Sequence, residues 1–247
     1  MYNGKAWERS MVMNMADKNA YRNVQNIAKQ TIAHIRQAIE PGMRLVQIRQ
    51  LSEDKMRALG ADSFWYWDVG AFCFAGEETT VSVSGKQYTT SDRRIRENDI
   101  ITIDLSPQCG QIWGDYARTI IVENGQVTDK IAAIKNEEWR QGLEMEELLH
   151  KELNHFATPE RSFEELYYYI NDFICQNGFV NLDFMGNLGH SIVKKKEDRI
   201  YIEKGNTAKL SDVSFFTFEP HICKKNSVYG FKKENIYYFE NGVLREL

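Results

Sequence analysis

A hairpin of two apolar strands constrains the fold of this chain more than any other segment. Over residues 100–105, isoleucine and leucine alternate with Thr102 and Asp104, which gives the strand one apolar face and one polar face. Turn-forming residues follow at 107–110, and the apolar run over 112–122 is typical of a returning strand. The pattern predicts an antiparallel pair with Asp104 on its polar face.

The returning strand carries a second carboxylate, Asp115. A turn centred near residues 108–110 places Asp115 almost opposite Asp104, within the roughly 5 Å expected of cross-strand neighbours. Two carboxylates at that distance repel each other unless a cation, an unusual proton or a wide water gap intervenes. A bound metal ion is the simplest such cation.

The rest of the chain groups helices with helices and strands with strands. Helical periodicity covers residues 21–39, 46–59, 130–156 and Phe163–Gln176. Strand-like runs cover residues 64–67, 71–74, 80–83, 199–203, 214–218, 235–239 and 243–246, with a tight hairpin turn at Asn241-Gly242. Because strands and helices do not alternate, we expect an α+β fold with a mainly antiparallel sheet. We expect one domain over 1–247, with residues 1–20 as an N-terminal extension.

Composition narrows the function classes. The formal net charge is -4 and no segment is strongly acidic or basic, so nucleic acid is not an expected partner. No stretch approaches the roughly 18 apolar residues of a membrane span, and the first residues do not form a signal peptide. These features predict a soluble, cytoplasmic protein that does not bind membranes.

One of the five histidines stands out. His190 follows the sequence Gly186-Asn187-Leu188-Gly189, whose glycines allow the backbone to turn sharply and present a side chain. Spacing alone leaves two interpretations open, a metal ligand or an ordinary loop histidine. A histidine nitrogen added to carboxylate oxygens suits manganese, cobalt, iron or zinc better than calcium.

Taken together, these residues resemble the five-ligand pattern of the pita-bread metallopeptidases, which include methionine aminopeptidases, Xaa-Pro aminopeptidases and prolidases. The pattern consists of Asp104 and Asp115, then Gly189-His190, then Phe218-Glu219-Pro220, and lastly Glu234 ahead of a strand. The segment 115–119, Asp-Tyr-Ala-Arg-Thr, is closer to the Xaa-Pro peptidases. The length corresponds to the catalytic domain alone.

The resemblance implies a curved, mainly antiparallel sheet with helices on its outer face, and two divalent metal ions, with manganese favoured. Asp104 would be a bidentate ligand, Asp115 and Glu234 would bridge the ions, and His190 and Glu219 would bind one of them. The ions would supply a hydroxide that attacks the carbonyl of a peptide or small amide, and Glu219 would take up the proton. The resemblance also allows a homodimer.

The chain departs from the family at two auxiliary histidines. Gln87 occupies or neighbours the position of the first, and an amide there donates a hydrogen bond but does not shuttle a proton. The segment 194–197, Lys-Lys-Lys-Glu, replaces the second. His221 is a candidate substitute if the strand continues past Glu219, although it is equally well an ordinary strand-end histidine.

Three functions therefore stay open. The first is a metal-dependent aminopeptidase or dipeptidase of Xaa-Pro type. The second is a metal-dependent hydrolase of a non-peptide C–N bond, and the third is a non-catalytic pita-bread binding protein. Retention of all five ligands argues against a metal-free mechanism and is compatible with the first two functions, whereas the missing histidines motivate the third.

Overall fold

The structure, a computed structural model, describes residues 15–128 and 130–247. The helices are α1 (Met15–Ala38), α2 (Leu45–Ala58), α3 (Glu137–Phe156) and α4 (Phe163–Gln176). The strands are β1 (Ser63–Phe64), β2 (Ala71–Ala75), β3 (Asp99–Leu105), β4 (Pro107–Cys109), β5 (Ile112–Trp113), β6 (Tyr116–Glu123), β7 (Gln126–Thr128), β8 (Phe179–Asn181), β9 (Ser191–Ile192), β10 (Phe215–Phe218), β11 (His221–Lys224), β12 (Gly230–Lys232), β13 (Asn235–Glu240) and β14 (Val243–Glu246). In the expected N-terminal extension, residues 1–14 lie outside the described residues and 15–20 begin α1.

The two halves of the chain repeat one plan. Each half has two helices, a four-stranded sheet and a three-stranded sheet: β2-β3-β6-β7 with β1-β4-β5, then β14-β13-β10-β9 with β12-β11-β8. Every strand pair in the described residues is antiparallel. The predicted α+β class with a mainly antiparallel sheet is confirmed. Across the described part of the chain, no helix is long and apolar enough to cross a membrane.

Strand alternation separates a core from a cavity in both halves. In β3, Ile101 and Ile103 pack with α1 and α2, while Thr102 and Asp104 line a cavity. In the second half, Phe218 packs with α3 and α4, whereas Glu219 lines the same cavity. Each fully buried aliphatic or aromatic side chain contributes about 1.5–3 kcal/mol, so both helix pairs are held to their sheets mainly by apolar burial.

Local sequence signals set the helix boundaries well. Helix α4 starts in a capping box, in which Ser162 Oγ accepts the Glu165 N–H and the Glu165 carboxylate accepts the Ser162 N–H. It ends before Gly178, whose positive φ of 78° suits a glycine. The predicted bounds of this helix are confirmed, and α2 differs from its prediction by one residue at each end.

The register of the central hairpin differs from the prediction. Ala117, and not Asp115, lies opposite Asp104, because residues 107–109 form β4 and the chain turns at 110–111, slightly later than the predicted centre within 108–110. The returning segment is also not one strand, since Gly114 and Asp115 separate β5 from β6. Asp115 therefore lies in a break between strands, free of ladder pairing.

Four other predicted elements were wrong in place or kind. The strand predicted at 64–67 ends at Phe64, because Trp67 and Asp68 take left-handed conformations. The strand predicted at 80–83 does not form, because Thr80 ends a 3-10 helix, Gly76–Thr80, and residues 81–83 pair with no strand among the described residues. The segment 199–203 forms only an isolated bridge, between Tyr201 and His190. The helix predicted from 130 begins at Glu137, after a 3-10 turn at Ile131–Ala133.

One buried acid in α3 should make stability depend on pH. Glu146 is 5% exposed and accepts a hydrogen bond of 2.6 Å from Thr119 Oγ1. Burial raises its pKa to about 7. The folded-state pKa of Glu146 is above the unfolded one. Its contribution to the free energy of unfolding is therefore fully present below about pH 4.3 and is lost as the pH rises through 7.

Between pH 4.3 and pH 8, wild type should therefore lose about 2–4 kcal/mol of unfolding free energy that Glu146→Gln does not lose. Relative to wild type, the variant should be more stable at pH 8 than at pH 4.3 by that amount. The measurement is urea unfolding of metal-free protein across this range. Glu144→Gln, at an exposed position of the same helix, is the matched control. Parallel pH profiles for wild type and Glu146→Gln would contradict the prediction.

Candidate metal centre

Three carboxylates, two from the central hairpin and one from near the C-terminus, lie close together, and the two aspartates line a cavity of about 440 Å³. Ligand oxygens of Asp104, Asp115 and Glu234 all lie within 4.8 Å of one another. The shifted hairpin register does not separate the two aspartates, because the break between β5 and β6 lets Asp115 reach back toward Asp104. The predicted proximity therefore holds although its predicted cause was wrong.

The backbone of Asp115 is fixed by α1. Gln25, 1% exposed, donates from Nε2 to Asp115 O at 2.6 Å and accepts the Asp115 N–H at 3.1 Å. A Cβ on the preceding Gly114 would lie 2.8 Å from Gln25 Oε1, so glycine allows this approach. Burial raises the pKa of Asp115 to about 7, Asp104 adds to the rise, and a hydrogen bond with His190 opposes it.

Glu234 is a fully buried carboxylate without a hydrogen bond from the described residues to either side-chain oxygen. Its backbone is tied to β6, since Glu234 N donates to Ala117 O at 3.0 Å and Arg118 donates to Glu234 O at 2.7 Å. Burial first, and then Asp115, raise its pKa well above the ordinary value. An unpartnered buried carboxylate beside two others fits a cation-binding site, because a cation would satisfy all three.

His190 and Glu219 lie on the other side of Asp115. His190 Nε2 is 3.5 Å from Asp115 Oδ2 and 3.6 Å from Glu219 Oε1. His190 Nδ1 lies 3.1 Å from Ser191 O, and because a carbonyl only accepts, Nδ1 carries the proton. When the ring is neutral, Nε2 is therefore the unprotonated nitrogen and faces the carboxylates, which is the form of histidine that binds a metal ion.

Gly189 and Thr217 hold this pair of side chains. Gly189 has φ of 139°, and a Cβ there would lie 2.3 Å from Thr217 O, so the backbone requires glycine. Thr217 Oγ1 accepts the His190 N–H at 2.9 Å and donates to Glu219 Oε1 at 3.2 Å. One hydroxyl therefore orients both residues.

Lys232, which sequence analysis did not single out, contacts two of these carboxylates. Its Nζ lies 2.5 Å from Asp104 Oδ2 and 2.9 Å from Glu219 Oε2. Burial opposes its charge, but Asp104 and Glu219 outweigh burial and raise its pKa well above the ordinary value. Burial likewise opposes the charge of Glu219, yet Lys232 and His190 lower its pKa. Lys232 precedes Glu234 by two residues, but a lysine at that spacing from a glutamate is no specific signal in the sequence.

The predicted catalytic residues do not all meet at the site. Glu219 and His221 line the cavity, whereas Gln87 is exposed, and the structure does not bring it to the cavity wall. His221 Nε2 donates to Thr79 O at 2.7 Å, and burial lowers the His221 pKa to about 4. His221 is therefore neutral near pH 7, with Nδ1 as its acceptor.

An arginine, Arg199, also lines the cavity. The guanidinium of Arg199 stacks on Trp65 at 4.8 Å and lies 5.7 Å from the ring of Tyr201. Arg199 Nε donates to Lys196 O at 2.7 Å. In the lysine segment, Lys196 donates to Trp65 O at 2.8 Å, while its neighbours at 194, 195 and 197 are exposed.

The fold is that of a pita-bread protein, and its candidate metal centre draws residues from both halves of the chain. The chain belongs to metallopeptidase family M24, whose family model matches residues 19–241. The predicted superfamily and the predicted enzyme class, a metallopeptidase-like hydrolase, are thereby confirmed, and the family implies dependence on a divalent metal.

Individual relatives agree with this assignment. A methionine aminopeptidase of Helicobacter pylori is 26% identical over 217 residues, which cover 83% of this chain and 79% of the relative. Among solved structures, an X-Pro aminopeptidase from Thermotoga maritima has a TM-score of 0.77 at 18% identity and covers 99% of this chain. A prolidase from Pyrococcus furiosus has a TM-score of 0.77 at 19% identity and covers 97%. The chain spans only 64% and 65% of those two solved chains.

Proposed function

We propose that this chain is a metal-dependent aminopeptidase or dipeptidase of Xaa-Pro type. The observation that carries the proposal is the buried Glu234 carboxylate, which has no hydrogen-bond partner among the described residues and lies beside Asp104 and Asp115, two residues that line a cavity large enough for a small peptide. Three clustered carboxylates repel one another unless protons or a cation intervene, and a bound cation would satisfy all three at once.

Asp104, Asp115, His190, Glu219 and Glu234 are the proposed ligands of two divalent ions. Four carboxylates and one imidazole form a donor set that suits manganese, which we favour, and also cobalt, iron or zinc. Ions bound there would activate a water molecule and polarise the carbonyl of the scissile bond.

The surrounding side chains have roles in positioning and proton transfer. Lys232 favours the ionised form of Glu219, which is then available to accept the proton of the attacking water. Lys232 keeps Glu219 and Asp104 oriented. His221 is neutral and presents an acceptor to the cavity, which suits it to bind a donor group of the substrate. We assign no catalytic role to Gln87, because it is exposed and away from the cavity wall.

The test is a peptide panel assayed with each of manganese, cobalt, iron and zinc. We expect Xaa-Pro dipeptides to be cleaved with manganese, cleavage to stop with a chelator, and Asp115→Ala to reduce kcat/KM by at least about 1000-fold. If metal-loaded protein cleaves neither Xaa-Pro nor Met-Xaa nor mixed dipeptides, the peptidase proposal fails.

A second candidate is a metal-dependent hydrolase of a non-peptide C–N bond. It is favoured by the exposed positions of Gln87 and Glu197, neither of which reaches the cavity wall to replace an auxiliary histidine of the family. Hydrolysis of small amides or amidines, with no cleavage of the peptide panel, would support it.

A further inference from the structure

A loop beside the proposed metal ligands carries an acidic side chain that the metal centre does not use. Asp183 lies between β8 and the turn that leads to His190, and it lines the cavity together with Glu219 and Asp115. Asp183 Oδ1 accepts the backbone N–H groups of Met185 at 2.9 Å and Asn187 at 3.0 Å. These bonds form the loop and fix the orientation of the carboxylate.

The other oxygen, Asp183 Oδ2, accepts no hydrogen bond from the described residues and is not sealed from solvent, in contrast to the Glu234 oxygens. Asp183 forms no ion pair within the described residues. Of the two cavity cations, Lys232 is engaged by Asp104 and Glu219, and Arg199 is stacked on Trp65. The negative charge of Asp183 is therefore available to a ligand.

The loop is attached to the strand segment that carries Glu219. Leu182 N donates to His221 O at 2.8 Å, and Glu219 N donates to Leu188 O at 2.9 Å. Both ends of the loop are thus held against the residues that would surround the reacting carbonyl. An orienting group so placed is suited to the part of the substrate next to the scissile bond.

We propose that Asp183 binds the protonated α-amino group of the substrate and selects for free amino termini. A carboxylate oxygen in a partly desolvated cavity pairs most favourably with an ammonium group, because the ion pair is little screened by water there. This inference rests on the proposed function and names the residue that would give it amino-terminal specificity.

Asp183→Asn is a sharp test, because the asparagine keeps an acceptor for the Met185 and Asn187 N–H groups and removes only the charge. With Ala-Pro as substrate, KM should rise about 10- to 100-fold while kcat changes by less than about threefold. With N-acetyl-Ala-Pro, the variant should behave as wild type. A merely structural role would affect both peptides alike.

Glu203→Gln is the matched control, since it removes the same charge from the same cavity. It should leave the preference for Ala-Pro over N-acetyl-Ala-Pro intact. Calorimetric titration of both peptides into manganese-loaded wild type and Asp183→Asn gives a second readout, and it stays decisive if neither peptide is cleaved. Cleavage failure in wild type would count against the peptidase proposal, whereas equal binding of Ala-Pro by wild type and Asp183→Asn would overturn this inference.

Discussion

Replacing Glu234 with glutamine is expected to abolish specific uptake of divalent ions and to stabilise the metal-free protein. Glu234 is fully buried, and burial together with Asp115 raises its pKa well above the ordinary value. The metal-free protein must therefore protonate this group or keep an uncompensated charge at neutral pH, and glutamine does neither. We expect a gain of about 2 kcal/mol in the free energy of unfolding at pH 7.

The loss of metal affinity should be larger than that gain. Changes to groups that only support a metal ligand reduce affinity about 10- to 100-fold, so loss of a direct ligand should exceed 100-fold. Calorimetry with manganese and denaturant unfolding with a chelator measure the two effects. Glu240→Gln, at the exposed end of β13, is the control and should change neither. Wild-type affinity in Glu234→Gln would contradict the assignment.

Replacing Lys232 with methionine is expected to destabilise the metal-free protein by about 3–5 kcal/mol. The substitution leaves Asp104 and Glu219 facing a partly buried space without the ammonium group that bonds to both. Added metal ions should restore part of this loss by neutralising the same carboxylates. The increase in melting temperature on adding manganese should thus be larger for Lys232→Met than for wild type.

The neighbouring lysine provides the control for this prediction. Lys233 bonds to Glu147, a half-exposed carboxylate, so Lys233→Met should cost at most about 1 kcal/mol and leave the response to manganese unchanged. Thermal unfolding with and without manganese measures all three proteins. Equal destabilisation by the two substitutions would show that Lys232 has no special relation to the carboxylate cluster.

Signals with a short range in sequence predicted the fold well. The alternation in β3 assigned Ile101 and Ile103 to the core and Asp104 to the polar face, because strand periodicity acts residue by residue. Helical periodicity predicted the bounds of α4, and the structure shows a capping box at Ser162 and a glycine at 178 at those two ends. Turn geometry was less predictable: the hairpin register depended on which residues bend the chain, and the break at Gly114-Asp115 is stabilised by Gln25 in α1.

Contacts between residues far apart in the chain could not be predicted from the sequence. The five candidate ligands were identified by resemblance to a family. The contact between the Lys232 ammonium and Asp104 was not predicted, because it joins residues 128 positions apart in the chain. Nothing local marks such a contact, since a lysine ahead of a glutamate is usually a solvated surface pair. Asp183 was missed for a similar reason, because its role depends on one oxygen that the loop leaves free.

The number of divalent ions bound per chain tests the central claim most directly. Purified wild-type protein, stripped with a chelator and dialysed against manganese, should retain about two ions per chain by elemental analysis, and calorimetry should show saturable binding. Asp115→Ala should retain neither ion, because Asp115 is proposed to bridge them. Wild-type protein that binds no manganese, cobalt, iron or zinc above the level of Asp115→Ala would contradict the account.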